Sequence, residues 1–565
     1  MRPFYGIDLG TTNSVICTLD DVGMPYVYHI GRQNTFSVPS VVWYQKGQKP
    51  VVGHLAKNYL PAHPELCVQY IKREMGSESF KRIINGEEKT PQTVSADILR
   101  DLVEKANAVR EENGEAPVFD VVVSIPAKFG DIERRHTIEA IEAAGLKLIA
   151  LVHEPTAAAL SFGVRKEDNK TFIVYDLGGG TFDVNIMRVS GNKLRVLAKG
   201  GDLQCGGIDW DKEIVKLALM GLATSGDSSA ISILQNQAAR FNEFITTDEG
   251  QAMLAKAEDI KISISDPDCH NDLDFIFTFN GKTNTVRIQR DKFIANTSGL
   301  VSKTIKAMEE TIREAGIAMD DLENQVDEII MVGGSSYMPQ IETAIRARFN
   351  VRSIHRQEPG LAIAKGAALY AGLRDNVWAN TISEVSEETR TSARTSPAET
   401  TTTPSRNDNQ SPASAIPTTN STPVQNHPQP TSTPAGPLVR ERFEIEELGG
   451  HSYGIAFQNG RYFSVYNIIL KSDDLVINKV FKDKFKTSQP DLRRIPIDIR
   501  ENDSSEVIVK EGRLLRCITP NALLCLPRAV PKGTAVDITL SRDINGIITV
   551  SATCQGRTID VEIKR

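Results

Sequence analysis

The chain has 565 residues, 40% of them hydrophobic and 24% charged, with a formal net charge of −7 at pH 7. That length predicts three or four domains with real cores. An acidic chain without a basic block gives no reason to propose nucleic acid or an anionic membrane as a main partner.

From residue 1 to about 380, short apolar strands alternate with amphipathic helices, the pattern of an α/β architecture. The first unit is a strand, a turn and a strand: Phe4-Tyr5-Gly6-Ile7-Asp8, then Leu9-Gly10-Thr11-Thr12-Asn13, then Ser14-Val15-Ile16-Cys17. Lys72 follows in Ile71-Lys72-Arg73-Glu74-Met75-Gly76, where on local grounds alone it reads as a solvated lysine. Residues 118–125 form a continuous apolar strand ending in Ser124-Ile125-Pro126, and Asp131 opens a helix. Residues 148–153 are a strand feeding Glu154-Pro155-Thr156-Ala157-Ala158-Ala159-Leu160, where proline suits the first helical turn and three alanines pack closely. Glu154 thus stands at the carboxyl end of a strand, the place where open α/β sheets bind ligands.

Residues 171–175 and 184–189 read as strands around Asp176-Leu177-Gly178-Gly179-Gly180-Thr181-Phe182-Asp183. Three glycines leave backbone N–H groups unshielded, so a triphosphate can come close to the main chain. Asp176 and Asp183 would repel that phosphate unless a divalent cation with its waters lay between them. Alone, the segment reads equally well as a glycine-rich hairpin with solvated aspartates. The first hairpin carries the same motif roughly 170 residues earlier, and two like hairpins suggest a duplicated unit whose halves face each other across a cleft. A third glycine turn, Val332-Gly333-Gly334-Ser335-Ser336, follows the apolar Ile329-Ile330-Met331 and precedes a helix over 339–349. Neither GxxxxGK[ST] nor GxGxxG occurs, so these turns are neither a P-loop nor a dinucleotide-binding unit.

Residues 209–264 read as helical, 274–289 as strands and 290–315 as helix, an insertion forming an outer subdomain over the cleft. The alanine-rich 360–373 is a helix able to pack tightly on a sheet. From 381 to 437, nine prolines lie among serines and threonines with no aromatic residue. Such a stretch cannot bury enough surface to offset its ordering entropy, and the reading is a disordered linker. From 438 to 565 the pattern is all β. Strand-like runs at 462–470, 495–499, 506–510, 535–540 and 546–551, with turn signals such as Gln458-Asn459-Gly460, predict a sandwich of about eight strands. No helical segment follows.

The 7 cysteines are odd in number and never in a CxxC pair, which argues against a disulfide framework and a zinc site. No apolar run approaches the ~20 residues that span a bilayer, and a strand begins by Phe4, so the expectation is a cytoplasmic protein with no cleaved leader and no membrane partner.

Taken together, residues 6–14, Lys72-Arg73 before Gly76, Ser124-Ile125-Pro126, His153 through Ala159, Asp176 through Asp183, Gly206-Gly207 and Val332-Gly333-Gly334-Ser335 resemble, in order and spacing, the seventy-kilodalton heat-shock chaperones of the DnaK type. The resemblance covers about 1–375 and again 449–563. It implies an actin-like (ribonuclease H-like), two-lobed ATPase domain over 1–380, a linker over 381–437, and a β-sandwich over 438–565 that grips extended hydrophobic peptides.

Carried over residue by residue, the resemblance implies that Gly10, Thr11, Thr12, Asn13, Gly178, Gly179 and Gly180 cradle the phosphates of ATP or ADP. Gly333, Gly334 and Ser335 would complete the nucleotide site. Asp8 and Asp176 would hold Mg²⁺ through its waters, and Lys72 would lie beside the γ-phosphate. Glu154, Asp183 and Thr181 would position or deprotonate the attacking water. Pro126 would belong to the switch that reports nucleotide state. On the adenine side Glu258, Lys261 and Ser265 are kept, but one expected arginine is Ile262 and another is Tyr337. An aliphatic and an aromatic side chain then replace two guanidinium planes, and because Tyr337 can stack, retained but altered adenine binding is expected.

In the β part, Ile455, Phe457, Phe485, Ile495 and Ile497 align with a peptide slot, in which an extended client supplies main-chain hydrogen bonds. The same alternation without the resemblance reads as core. The arching residues are Gln458 and Ser488, both polar. Phe443, Ile445 and Leu448 stand in place of the family's leucine-rich linker; they either dock on the ATPase as an added strand or begin the sandwich. The family's helical lid is missing, which predicts faster peptide release. The expected function is an ATP-hydrolysing chaperone of unfolded clients, with a J-domain partner and a nucleotide-exchange factor implied by resemblance. The alternatives are a nucleotide-binding scaffold with little turnover and a sugar kinase of the same superfamily, which leaves the β part unexplained.

Overall fold

The computed structural model describes residues 3–31, 35–163, 169–191, 193–235, 239–266, 268–269, 272–356, 358–374, 444–446, 450–459, 462–471, 478–488, 491–510, 516–518, 522–543 and 545–562. The predicted linker over 381–437 lies outside these residues, as do Phe443 and Leu448.

Two sheets repeat one plan. In the first, the strands run in the order Lys147–His153, Asp120–Ile125, Tyr5–Asp8, Asn13–Leu19, Pro25–Val27, with Ser37–Pro39 also paired to Asn13–Leu19. In the second, the order is Ser353–Arg356, Glu328–Val332, Thr171–Leu177, Phe182–Ser190, Lys193–Asp202 and Glu444–Glu446. Each has a central strand with a parallel neighbour on one side and an antiparallel hairpin partner on the other. Ile7 sits between Val123 and Ile16 in the first sheet, and Val174 between Ile330 and Asn185 in the second. The repeated register puts Asp8 and Asp176 at equivalent strand ends.

The sheets are joined by the helices Glu154–Ser161 and Ala362–Arg374, whose alanines share one apolar cluster with Phe4, Val15 and Val122 from one sheet and Phe172, Val174 and Val189 from the other. Close approach is the reason for the small residues. A Cβ on Gly6 would overlap the Ala368 backbone, and one on Gly366 the Ala157 carbonyl. Each aliphatic residue fully buried here contributes about 1.5–3 kcal/mol of transfer free energy.

The stretch read as helical over 209–264 is divided into Gly207–Thr224, Ser228–Leu234, Ala239–Thr246 and Asp248–Ser265. Thr247 caps the last of these by accepting the Gly250 N–H at 3.1 Å. The hairpin Leu273–Phe279 and Lys282–Ile288 buries Phe275, Phe277 and Phe279 and exposes the residues between, a strict period of two.

After residue 450 the strands form two further sheets. One runs Ile508–Lys510, Tyr462–Ile469, Ser452–Asn459, Ile499–Asn502, Arg516–Cys517, and the other Asn478–Lys486, Ala535–Arg542, Ile548–Cys554, Arg557–Glu562, Ala522–Val530, Leu492–Ile497. Ile455, Ile468, Ile499, Leu524, Ile538 and Leu540 from both sheets meet in one core. The segment with two readings takes the first of them: Glu444–Glu446 adds parallel to the edge of Lys193–Asp202, Ile445 opposite Leu194, and packs on the apolar cluster there.

Candidate active site

The two equivalent strand ends open on one cleft, a cavity of about 220 Å³ whose walls include Asp8, Lys72, Glu154 and Asp176. Asp8 ends Tyr5–Asp8 and accepts a hydrogen bond from Ser124 Oγ at 2.9 Å. Lys72 lies in the short 3₁₀ helix Ile71–Glu74, buried, and pairs with the carboxylate of Glu154. Glu154 is the first residue of the Glu154–Ser161 helix, fixed there by the strand before it and by Pro155 after it. Asp176 and Asp183 face each other across the hairpin register, both buried. Thr181 is buried beside them.

Charge is the dominant property of this cluster. Three buried carboxylates, Glu154, Asp176 and Asp183, and the half-buried Asp8 surround one lysine, and Asp176 Oδ2 and both oxygens of Asp183 have no hydrogen-bond partner. Burial, then repulsion from Glu154, Asp183 and Asp8, holds Asp176 well above the ordinary carboxylate range. Burial pushes Glu154 up to about 7 against the pull of Lys72, and Asp183 up to about 6 against Lys128 and Lys72. Burial works against the Lys72 ammonium, but Glu154 and Asp8 outweigh it and raise its pKa. Hard, negatively charged, under-coordinated oxygens of this kind fit a cation such as Mg²⁺. Among the described residues no three Asp, Glu, His or Cys side chains converge to ligate a metal directly.

The turns are interlocked. A Cβ on Gly179 would overlap the Thr12 side chain, one on Gly180 the Thr11 side chain, and one on Gly206 the Gly180 backbone. Gly10, Thr11, Thr12, Asn13, Gly178 and Gly179 line the cleft together with Gly333, Gly334 and Ser335. Gly333 has φ +80°, a left-handed conformation that glycine adopts without strain. Arg73, given no role by sequence reasoning, donates from Nε to the Gly180 carbonyl at 2.9 Å and pairs with Asp209 at 2.6 Å. Its sequence signal is its place in the Lys72-Arg73 pair before Gly76 that carries part of the family resemblance. Asp209 in turn accepts the Gly206 N–H at 2.9 Å and so caps Gly207–Thr224.

Glu258 and Lys261 also border the cleft, and both are already engaged. Lys57 Nζ meets Glu258 at 2.5 Å across the cleft, and Lys261 donates to Asp211 at 3.0 Å and to the Gly207 carbonyl at 3.1 Å. Lys57 and Asp211 were not anticipated from sequence. Ser265 Oγ has no partner. Ile262 is 61% and Tyr337 53% exposed; Ile262 borders the cavity, whereas Tyr337 stands outside its walls.

Ile455 and Ile497 are buried in the core between the two β sheets, as the plain-core reading of their alternation has it, and Phe485 and Ile495 pack half-buried against that core. Phe457 is half-buried and Ser488 exposed, while the Gln458 side chain lies outside the described residues. Among the described residues no helix is long and apolar enough to cross a membrane.

The model of the Hsp70 protein family matches residues 4–410, which hold both repeated hairpins, the buried lysine and every carboxylate of the cleft, and the chain belongs to that family.

Proposed function

We propose that this protein is an ATP-dependent chaperone that hydrolyses ATP in the cleft and binds extended hydrophobic segments of unfolded proteins with its β domain. Hsp70 proteins in general are ATPases that bind ATP or ADP with Mg²⁺, unfolded clients and co-chaperones. The observation that carries the reading for this chain is the convergence of Asp8 and Asp176, one from each repeated hairpin, with Lys72 and Glu154 on a single cavity.

In this reading the domains are residues 1–380, a linker over 381–437 and a β-sandwich over 438–565, in the cytoplasm. The backbone N–H groups of Gly10 through Asn13 and of Gly178 through Gly180 receive phosphate oxygens. Asp8 and Asp176 would hold Mg²⁺, which when bound would neutralise charge on the triphosphate. Lys72 brings a buried ammonium to the transferred phosphoryl group. Glu154, with a pKa near neutrality, and Asp183 take the proton of the attacking water, and Thr181 orients it. Glu258, Lys261 and Ser265 hold the nucleoside side, with Tyr337 stacking on the base once nucleotide binds. In the β domain, Phe457, Phe485 and Ile495 offer the apolar contact surface, backed by Ile455 and Ile497.

Steady-state hydrolysis with and without an unfolded peptide tests the reading, with Lys72→Ala as its control. The substitution is expected to cut turnover by at least about 100-fold while ATP stays bound, since the loss lies in the transition state. Normal hydrolysis by that variant overturns the assignment. ATP binding by the natural sequence with no turnover favours the scaffold instead, and equal affinity for ATP and GTP means that the adenine pocket is lost.

A further inference from the structure

His451, in the β region, stands between two hydrogen-bond acceptors. Its Nδ1 is 3.0 Å from the Asp503 carboxylate and its Nε2 is 3.1 Å from the Lys128 carbonyl oxygen. A neutral imidazole has one N–H and one lone pair, so it can donate to only one of them. In either tautomer a lone pair would face an acceptor oxygen; with a proton on each nitrogen, both contacts are hydrogen bonds. Asp503 belongs to the β region, whereas Lys128 lies in the ATPase domain between Asp120–Ile125 and Asp131–Ala143. The second bond therefore crosses between domains, and its partner is present only while they are docked.

We propose that docking of the β domain on the ATPase domain takes up a proton at His451, so that acid favours the docked form and alkali releases it.

The neighbouring carboxylates of Glu133, Glu501 and Asp131 and the guanidinium groups of Arg516 and Arg134 are occupied, while the Lys128 and Lys471 ammonium groups also lie near the Asp503 carboxylate. Glu133 pairs with Arg516 at 2.7 Å, and Arg516 also reaches the Gly76 carbonyl. Glu501 accepts the Asp131 N–H at 3.1 Å and the Tyr453 hydroxyl at 2.7 Å. Asp131 pairs with Arg135, and Arg134 donates to the Phe129 and Asn545 carbonyls. His451, Lys128, Glu133, Glu501, Asp503 and Arg516 enclose an interdomain cavity of about 130 Å³. Burial disfavours the charged ring, but the Asp503 bond, the Glu501 charge and the Lys128 carbonyl outweigh it and hold the His451 pKa above its ordinary value. The bond to His451 holds Asp503 below its own, with Lys128 and Lys471 acting in the same direction.

An undocked ring can give one N–H to Asp503 and turn its lone pair to water, so it has no need of the second proton. Docking is thus fully favoured below the ordinary histidine range and weakens as pH rises through the docked value, by up to about tenfold per pH unit between the two. The inference rests on two domains joined by a linker and not on turnover.

Small-angle scattering of the full chain, with and without ATP, from about pH 6 to about pH 8.5 reads docking directly, because release of the β region from its seat beside Lys128 raises the radius of gyration. The radius of gyration is expected to be compact at the acid end and to rise with pH, and His451→Gln should flatten that rise. Asp503→Asn, at a mostly exposed side chain that a folded protein tolerates, should move the midpoint to lower pH. An equal rise in His451→Gln, an unmoved midpoint in Asp503→Asn, or a chain that is extended at pH 6 under both conditions or compact throughout, overturns the proposal. Loss of hydrolysis in the natural sequence would leave these curves as they are, which separates failure of this inference from failure of the ATPase reading.

Discussion

The carboxylate of Glu501 caps a helix in the other domain: its Oε1 accepts the N–H of Asp131, the first residue of Asp131–Ala143, whose own N-cap, Gly130, has no side chain to offer. The same helix end is held twice more from the β side, because Asp131 accepts the Ile548 N–H at 2.8 Å and Arg135 donates to the Ile548 carbonyl at 2.8 Å. Asp131 thus follows Pro126 closely in sequence and meets the β domain directly, which places the docking surface next to the segment leading out of the strand that supports Asp8.

Gly130→Ala should loosen this contact without touching the cleft. The added Cβ would lie 2.5 Å from both Glu501 carboxylate oxygens. Glu501 is buried and bound to Asp131 and Tyr453, so moving it forfeits both hydrogen bonds. At about 1 kcal/mol each, the docking equilibrium should fall roughly thirty-fold. Scattering at the acid end of the range would read this as expansion, while nucleotide affinity stays the same. Unchanged dimensions would mean that the cap contributes nothing to docking.

Asp176→Asn should stabilise the nucleotide-free protein. Its carboxylate is buried beside Glu154, Asp183 and the half-buried Asp8 around one lysine, and its Oδ2 is unpartnered, so ionisation in the folded state is opposed by burial and by like charge. A folded pKa above the unfolded one means that the group costs stability at every pH above its unfolded value near 3.9, more so as pH rises toward the folded value. Asparagine removes that cost. A gain of about 1–2 kcal/mol, seen as a rise of a few degrees in Tm in chelator at neutral pH and vanishing below about pH 4, is expected, together with loss of Mg²⁺-dependent nucleotide affinity. A lower Tm in chelator would show that the acidic cluster is not under electrostatic strain.

What could be read in the sequence and what could not divides by sequence distance. Gly178 to Asp183 and Gly10 to Asn13 are local turns whose residue types state their chemistry, and the duplication of the pattern suggested that they face one another. Glu154 was placed by the strand and the proline on either side of it. Arg73 on the Gly180 carbonyl, Lys57 on Glu258 and Glu133 on Arg516 join residues 107, 201 and 383 positions apart. No period or motif encodes such pairs. Ile455 and Ile497 show the limit of alternation, because a residue that lines a slot and one that fills a core share the same period of two, and these two fill the core.

Ile445→Asp should detach the strand Glu444–Glu446 from the second sheet. Three residues of parallel pairing at a sheet edge are weak by themselves, and what fixes them is Ile445 against the cluster containing Leu194 and Val196. An unpaired carboxylate in that apolar position costs several kcal/mol, more than so short a ladder returns, so the segment leaves rather than burying the charge. Backbone amides of Lys193–Asp202 on that edge should then lose hydrogen-exchange protection. Because this strand is the chain's entry to the β domain, stimulation of turnover by peptide should vanish while the basal rate, assigned in the proposed function to Lys72 and Glu154, is unchanged. Retained protection along the edge would show that the ladder stands without Ile445, and a fall in the basal rate would place the strand within the catalytic unit rather than in its coupling to the β domain.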